Sequence, residues 1–427
     1  MLKSLLIVLF FNCLPLFMDG QEELEYKNKV YDPDIHSVQF GLSDPLLFPL
    51  LKLNSADRLI LAFDDLSGYE RNFFYKVIHC DRNWQPSNIN EIDYINGFQD
   101  ERLRKYNYST NTRMNYIHYT QAIPSVDFKL KISGNYLLVI YEDNIDYPII
   151  TRRFVVSEDI ANIGIEMIQS SQVEKLRQNQ QIRPILLHKD LNIRNPLEDV
   201  ELTIIQNQNW NTSITHKPNT FLNNKLVYTT QGMFEWPGIK EFREFDLRRI
   251  ISLGRNIQHI ERHYDSVTAK LVMENPRGND AYIYRLDFNG LFTVDNLESA
   301  ANDPSIISEY VYVTFRYTDP NSNYRKDLYI LSSFNNFEPS NEYKLEYDSN
   351  TGVYSRTLLL KQGYYSYLIG EWKEDEGLML SDTEGNWAGT ENNYYAFAYY
   401  KAAGDIYDRV IAFSTFNTLA TDYGTTD

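Results

Sequence analysis

The feature that most constrains this chain is a succession of short apolar runs that end at turn residues. Residues 128–132 alternate strictly between apolar and polar side chains, residues 133–135 can turn the chain, and residues 136–141 form an apolar run that would return as the antiparallel partner. A second such pair, 354–360 and 364–369, flanks another turn. Strands at this spacing are typical of β-sandwiches, so the pattern predicts an all-β fold.

Composition agrees with this prediction and limits the partners. The chain has 427 residues, more than one ordinary core can organise, so two to four domains are expected. Its 33 Tyr and 23 Phe favour pleated, half-buried surfaces. The net charge of −17 disfavours nonspecific binding to nucleic acid or to anionic lipid, because attraction to phosphates drives that binding.

The strand runs divide into three groups, which predict three consecutive immunoglobulin-like or early-set β-sandwich domains. The first covers residues 24–157, the second residues 158–302 and the third residues 303–427. Since no Pro-rich, Gly-Ser-rich or single-charge tract separates the groups, the linkers are predicted to be short.

The N-terminal residues 1–20 are predicted to be a signal peptide. Lys3 supplies a positive charge, the apolar run 5–11 continues after a short break, and cleavage near Gly20 would suit the small residue there. The run is too short for a membrane span, and we expect the mature chain to be exported without inserting into a bilayer. Cys80 would then lack an intrachain disulfide partner.

Motifs for catalysis and cofactor binding are missing from the sequence. It contains no phosphate-binding glycine loop and no nucleophile elbow. His259 and His263 lie four residues apart, which on a helix could place two imidazoles on one face, but Glu261 is not where a helical zinc site needs it. Carboxylate pairs such as Asp64-Asp65 are expected in any acidic protein. We therefore predict no enzymatic activity, no metal, no cofactor and no small-molecule substrate.

A pattern near the C-terminus leaves an alternative open. Residues 328–337, followed by turn glycines at Gly352 and Gly363, resemble early-set sandwich modules related to glycogen-binding domains. In those modules an aromatic residue after the Asn-Asn pair is commonly Trp, and Phe337 stands there in this chain. The pattern indicates a fold more directly than it indicates sugar binding. Periplasmic glycan binding by the C-terminal domain remains the alternative function.

Three further blocks carry a family resemblance over nearly the whole predicted mature chain, in the same order. They are Phe63-Asp64-Asp65-Leu66 with Ile78-His79-Cys80-Asp81 through Pro86-Ser87 and Arg152-Arg153-Phe154; Trp236-Pro237-Gly238 through Asp246; and Glu384-Gly385-Asn386-Trp387 with Thr390-Glu391-Asn392-Asn393-Tyr394. The chain thereby resembles the type IX secretion system plug protein family of Bacteroidota.

That resemblance implies a periplasmic protein that closes the periplasmic opening of the outer-membrane translocon barrel while no substrate is in transit. The implied partner is the barrel, and no catalysis is implied. For the contact we single out the segment 81–98, whose predicted contact residues are Trp84, Pro86, Tyr94 and Phe98. Loops held by a rigid scaffold often carry binding. Equally, Trp84 could anchor this segment to the core of its own domain.

Overall fold

The computed structural model describes residues 22–188, 191–299 and 303–419; the predicted signal peptide lies outside them. The first unit comprises residues 22–158 and contains one short helix, α1 Glu91–Tyr94. Its strands are β1 Lys29–Val30, β2 Ile35–Gly41, β3 Leu50–Lys52, β4 Leu59–Asp65, β5 Phe74–Cys80, β6 Ile95–Gly97, β7 Asp100–Arg102, β8 Tyr106–Tyr108, β9 Ile117–Ile123, β10 Phe128–Leu130, β11 Gly134–Tyr141 and β12 Ile150–Ser157.

Two sheets of the first unit face each other across a hydrophobic core. One has the order β1-β12-β11-β5-β7, with β3 parallel to β12, and the other has the order β2-β4-β9-β8. Strand β11 is buried along nearly its whole length. Tyr136, Leu138 and Ile140 point into the core of this unit, while Leu137 and Val139 belong to a different core on the opposite face. A sheet covered on both faces explains why the run is continuously apolar.

The second unit starts at residue 159 and holds one short helix, α2 Pro196–Asp199. Its first strands are β13 Asn162–Ile168, β14 Asn179–Leu187, β15 Val200–Gln206, β16 Asn209–His216, β17 Thr220–Leu222, β18 Lys225–Val227 and β19 Glu235–Pro237. Strands β13, β14, β18, β17 and β19 form one sheet, whereas β15 and β16 belong to another.

The third unit spans residues 239–389 and has the short helix α3 Pro304–Ile307, with 3-10 helices at Ser333–Asn335 and Asn341–Tyr343. Its strands are β20 Arg243–Asp246, β21 Ile257–Arg262, β22 Val267–Leu271, β23 Phe292–Val294, β24 Tyr310–Thr318, β25 Leu328–Leu331, β26 Glu346–Asp348, β27 Val353–Lys361, β28 Gly363–Lys373 and β29 Gly377–Met379. They form two sheets, one centred on β28 and the other ordered β21-β22-β24-β27-β26, which enclose a single core.

The last two strands return to the second unit. Strands β30 Asn393–Tyr400 and β31 Arg409–Asn417 extend the sheet of β15 and β16 in the order β16-β15-β30-β31. Val200 pairs with Tyr400 and Gln206 with Tyr394, so β15 and β30 match along the whole of β15. The second unit therefore comprises residues 159–238 and 390–419.

This pairing corrects the predicted domain order. The all-β class is confirmed, but the sandwiches are not consecutive, because the third unit is inserted into the second. The predicted boundary between residues 302 and 303 falls inside the third unit, and the predicted third domain includes two strands of the second. The apolar run of β30 gives no indication of its partner strand, since any sheet with an unpaired edge could accept it.

Both hairpins predicted from the sequence are also corrected. Strand β10 pairs with β6 and not with β11, and β27 and β28 belong to different sheets although only Gln362 separates them. The first turn carries the chain from a two-stranded sheet of β10 and β6 to the sheet of β11, and the second carries it from one sheet of the third unit to the other. Around Gln362 the crossing is held by two bonds to Glu309: the Gln362 backbone N–H donates to the Glu309 carbonyl, and the Glu309 backbone N–H donates to Oε1 of Gln362, both at 2.8 Å.

Candidate functional site: the junctions between the units

The first and second units share a hydrophobic core, which we call the joint core. The first unit supplies Leu137, Val139 and Val155, and the second supplies Phe397 and Tyr399. In β30 the neighbouring positions point the other way, into the second unit's own core. Each fully buried side chain of this size contributes about 1.5–3 kcal/mol. The junction is consequently packed as a protein interior is packed, with sheet against sheet.

The predicted contact segment begins with a tight turn at the edge of this junction. The Asp81 carboxylate accepts hydrogen bonds from the backbone N–H groups of Asn83 at 2.9 Å and of Gln85 at 2.8 Å. Trp84 has φ of 62°, a left-handed backbone that bulky residues rarely adopt. The bonds to Asp81 hold that conformation, which directs the indole inward.

Trp84 anchors the first unit to the second. Its ring is only 6% exposed and meets the ring of Trp210, from β16, edge to face at 4.8 Å between centroids. The Arg153 guanidinium lies 4.4 Å from the Trp84 centroid and 5.6 Å from that of Trp210. Cations placed over aromatic faces are attracted by the ring quadrupole. The structure therefore supports the alternative in which Trp84 is an anchor, although the core it joins is shared with the second unit.

The other predicted contact residues do not form one surface with Trp84. Tyr94 is 4% exposed, and its hydroxyl donates a hydrogen bond to the Val77 carbonyl at 3.3 Å. Pro86 is exposed and forms an isolated antiparallel β-bridge with Cys80, while Phe98 is 67% exposed just after β6. Two of the four side chains thus point inward, and only Pro86 and Phe98 are available to a partner.

Polar contacts strengthen the first–second junction. Arg82 of the first unit forms ion pairs at 2.8 Å with both Asp408 and Glu201 of the second. The Tyr399 hydroxyl donates a hydrogen bond to Asn135 at 2.9 Å across the joint core. These contacts fix the register in which the two sheets meet.

The first and third units meet at a buried cluster around Asp64, whose side chain is fully excluded from solvent. Lys361 Nζ lies 2.5 Å from Asp64 Oδ2, the Tyr310 hydroxyl donates to the same oxygen at 2.6 Å, and His118 Nδ1 lies 2.6 Å from Oδ1. Asp64 and His118 are paired across β4 and β9 of the first unit, and Tyr310 and Lys361 are paired across β24 and β27 of the third. We call these four residues the Asp64 cluster.

The electrostatics of the Asp64 cluster favour a charged pair. Burial alone would raise the pKa of Asp64, but the Lys361 ammonium and the His118 imidazole outweigh it and hold that pKa below its usual value. Lys361 also donates to the Ser305 carbonyl at 2.5 Å and lies 4.0 Å from the centroid of the Tyr116 ring. A buried ion pair with this many satisfied donors is costly to break from one side.

The chain enters and leaves the third unit through two adjacent segments. The Trp387 backbone N–H donates to the Gly238 carbonyl at 2.7 Å, and the Gly238 N–H donates to the Gln178 carbonyl at 2.7 Å. A Cβ on Gly238 would lie 2.2 Å from the Trp387 carbonyl oxygen, so glycine is required there. Nearby, buried Glu384 pairs with both Arg243 and Arg277.

These junctions account for the motif blocks of the sequence, but their central residues were not predicted as site residues. Asp64 was interpreted as one of many surface acids, and Lys361 as part of a turn. The available signal was position, because each charged residue directly follows an apolar run: Asp64 is next to last in β4, and Lys361 is last in β27. A charge placed there faces either solvent or a partner across a junction.

The sequence predicted no metal site, and His259 and His263 do not lie on one face of a helix. His259 lies on strand β21, not on a helix, and both His259 and His263 are exposed beside Glu261, at 2.9 and 3.5 Å. Among residues 22–188, 191–299 and 303–419, no group of three or more His, Cys, Asp or Glu side chains could hold a metal ion. No helix in those same ranges has the length and apolarity to cross a membrane.

Phe337, the residue that carried the glycan alternative, is 6% exposed. Its backbone is left-handed, with φ of 58°, and its ring packs against Phe242 in a small core of the third unit. A side chain buried in this way offers no open platform on which a sugar ring could stack.

Fold and junctions together define an all-β protein of three interlocked sandwich units. Residues 35–158 match the family model of the type 9 secretion system plug protein 1st domain. This match confirms the resemblance for the part of the sequence that it covers and supports a role related to type 9 secretion in the cell envelope.

Solved structures extend the comparison beyond that domain. The crystal structure of a hypothetical protein from Parabacteroides merdae ATCC 43184 is similar at a TM-score of 0.87 and 25% identity, covering 92% of this chain and 100% of that one. The C-terminal domain of the Streptococcus pyogenes antigen I/II-family protein AspA aligns over 89% of this chain and 98% of that one, but its TM-score of 0.15 at 7% identity indicates no common fold. No curated protein matches the chain.

Proposed function

We propose that this protein is a periplasmic plug that closes the periplasmic opening of the type IX translocon barrel when no substrate is in transit, and that it acts without catalysis. The observation that carries the proposal is the match of residues 35–158 to the plug family, in a chain whose first unit is joined to the other two by buried contacts. An obstruction has to resist deformation, and the joint core and the Asp64 cluster both oppose motion between units.

The contact with the barrel is assigned to the exposed end of the predicted segment. Phe98, just after β6, is 67% exposed, and Val126, just before β10, is 76% exposed. The pairing of Gly97 with Phe128 brings these two segments together. Ile92 in α1 is 65% exposed on the same part of the first unit. Exposed apolar side chains grouped in this way are typical of interaction surfaces that bind reversibly. Pro86, which is also exposed, lies earlier on the same segment.

Ion flux through the purified barrel tests the proposal directly. The barrel would be reconstituted in liposomes, and flux would be measured with and without the mature protein added to the periplasmic side. We expect flux to fall to background at saturating protein and to recover when the protein is washed out. Unchanged flux, or turnover of any substrate by the purified protein, would overturn the proposal.

Location requires its own experiment, because export depends on residues 1–20. Fractionation of cells that express the full chain should find the protein in the periplasm without the N-terminal segment, and cross-linking in intact envelopes should recover the barrel. Recovery in the cytoplasm with that segment retained would contradict this part of the proposal.

A further inference from the structure

The three units meet around a cavity of about 110 Å³. The first unit contributes Arg152 and Arg153 to its wall, the second contributes Trp210, and the third contributes Phe292 and Glu338. Neither the proposed plug role nor the family match assigns a use to this space.

Arg152 is buried in the wall of the cavity without a carboxylate partner. Arg152 is 6% exposed, and its Nη1 donates to the carbonyls of Lys29 at 3.2 Å and Thr151 at 2.9 Å. No acid in the described part of the chain pairs with it, and burial lowers its pKa to about 10. Within the described residues, Nε and Nη2 of Arg152 have no hydrogen-bond acceptor, and neither atom is enclosed without a partner, so both reach open space. The cavity that Arg152 lines provides that space.

Arg153 is nearly as constrained. Its Nε donates to the Tyr26 carbonyl at 2.9 Å, and the guanidinium lies against the rings of Trp84 and Trp210. Burial lowers the pKa of Arg153 to about 10, partly offset by negative groups that include Glu338. Glu338 forms no ion pair with either guanidinium among the described residues, although it lines the same cavity.

The charges and the volume of the cavity indicate the charge and size of a ligand that it can bind. The residues that line the cavity include two arginines and one acid, Glu338, and the remaining charged residue of the wall, Lys27, is paired with Glu25 at 3.0 Å. The balance is one positive charge, and a buried unpaired charge is costly unless an ion of opposite sign compensates it. A cavity of roughly 150 Å³ accommodates benzene, so this one suits about four or five non-hydrogen atoms.

We infer that this cavity binds a small organic monocarboxylate between the three units. The planar carboxylate would accept paired hydrogen bonds from Arg152, in the geometry that guanidinium groups favour. Its short apolar end would contact the rings of Trp210 and Phe292. Because its walls come from all three units, the bound carboxylate would also stabilise their arrangement, in proportion to its concentration over its dissociation constant.

Calorimetry and thermal unfolding with acetate test this inference, with acetamide as a neutral ligand of the same shape. In a chloride buffer of constant ionic strength, acetate should bind with a stoichiometry of one and raise the Tm with concentration, while acetamide should do neither. Binding of sulfate or phosphate in preference to acetate would overturn the assignment to a carboxylate. Equal Tm increases with acetate and with added chloride would indicate a general salt effect and would overturn the site.

Substitutions of two residues in the cavity wall test whether acetate binds in this cavity. Arg152→Met should weaken acetate binding at least tenfold, whereas Arg183→Met, which removes an exposed arginine paired with Glu166, should leave it unchanged. Because Arg152→Met also removes the hydrogen bonds to the Lys29 and Thr151 carbonyls, a second variant, Asn211→Trp, leaves them in place and covers the cavity from an exposed wall position. It should keep the fold and lose the acetate response. Full acetate binding in folded Asn211→Trp would contradict the assigned place.

Discussion

The Asp64 carboxylate and the Lys361 ammonium stand 297 positions apart in the chain, yet they lie 2.5 Å from each other with 0% and 1% of their side chains exposed. One belongs to the first unit and the other to the third. The pair therefore depends on how the units are arranged, and it reports on that arrangement.

Removing one partner of this pair should be far more costly than removing both. Lys361→Met leaves the Asp64 charge buried without its ammonium partner, so we expect a loss of about 3–5 kcal/mol in the free energy of unfolding. The double variant Asp64→Asn, Lys361→Met should recover much of that loss. Urea unfolding would measure both, with Lys217→Met, in an exposed pair with Glu198, as a control expected to change stability by less than about 1 kcal/mol. A loss below about 1 kcal/mol for Lys361→Met would contradict the buried pair.

Stability should fall as the pH drops from about 6.5 towards 4, because of His79. Burial lowers the pKa of His79 to about 4, while the same imidazole titrates near 6.5 in the unfolded chain. The unfolded state binds a proton first, so the contribution is fully present above pH 6.5 and is lost as the pH falls through the folded pKa. The expected loss is about 3 kcal/mol.

Unfolding titrations at several pH values would measure this dependence, and His79→Gln serves as the control. The folded imidazole donates from Nε2 to the Ser133 carbonyl at 3.1 Å, so Nδ1 accepts from the Ser87 hydroxyl at 2.8 Å. Glutamine cannot titrate, and the variant should have a flatter profile between pH 6.5 and 4. An identical slope in both proteins would assign the dependence to other groups.

Trp84→Ala should weaken the first–second junction. The substitution removes a buried aromatic ring together with its contacts to Trp210 and Arg153, for which we expect a loss of about 3–5 kcal/mol. Trp372→Ala is the matched control, because Trp372 is 45% exposed and should cost much less. Thermal unfolding compares the two, and equal Tm values would argue against Trp84 as an anchor.

Phe98→Ala should separate binding from stability. The side chain is 67% exposed, so the free energy of unfolding should change by less than about 0.5 kcal/mol. If Phe98 contacts the barrel, affinity should fall about fivefold or more, as for a central interface residue. Tyr264→Ala, which removes a fully exposed ring from the third unit, is the control and should leave affinity unchanged.

Gly238→Ala should disturb the entry to the third unit. The new methyl group would lie 2.2 Å from the Trp387 carbonyl oxygen, so one of the two crossing segments has to move. We expect a loss of about 1–3 kcal/mol, as for overpacking elsewhere. Gly164→Ala, whose Cβ would meet its nearest neighbour at an ordinary 3.9 Å, should cost less. Denaturant midpoints for the two variants give the comparison.

Local pattern predicted the strands well and their partners poorly. The predicted runs at 136–141 and 364–369 correspond to β11 and β28, because alternation and β-prone residues act within one segment. The pairing of β30 with β15 joins positions almost 200 residues apart, and nothing local to either strand specifies it. For the same reason the sequence suggested hairpins at two turns that instead carry the chain between sheets.

The candidate site was predictable only in outline. The segment around Trp84 was singled out for a contact with a partner protein, whereas the burial of Trp84 depends on Trp210 in another unit of the same chain. Asp64 and Lys361 gave no such indication, because a charge at a strand end is ordinary until its partner is known. The resemblance to the plug family, carried by specific blocks, identified what composition and periodicity could not.

The insertion of the third unit has a consequence for how the molecule is made. During synthesis from the N-terminus, the first unit is complete long before β30 and β31 exist, so Leu137 and Val139 on its outer face have nothing to cover them. A chain truncated before residue 393 would leave that apolar face exposed to solvent and should be prone to aggregation or degradation. Strands β30 and β31 therefore cover this apolar surface only at the end of synthesis, and only a polypeptide translated through both strands can bury it.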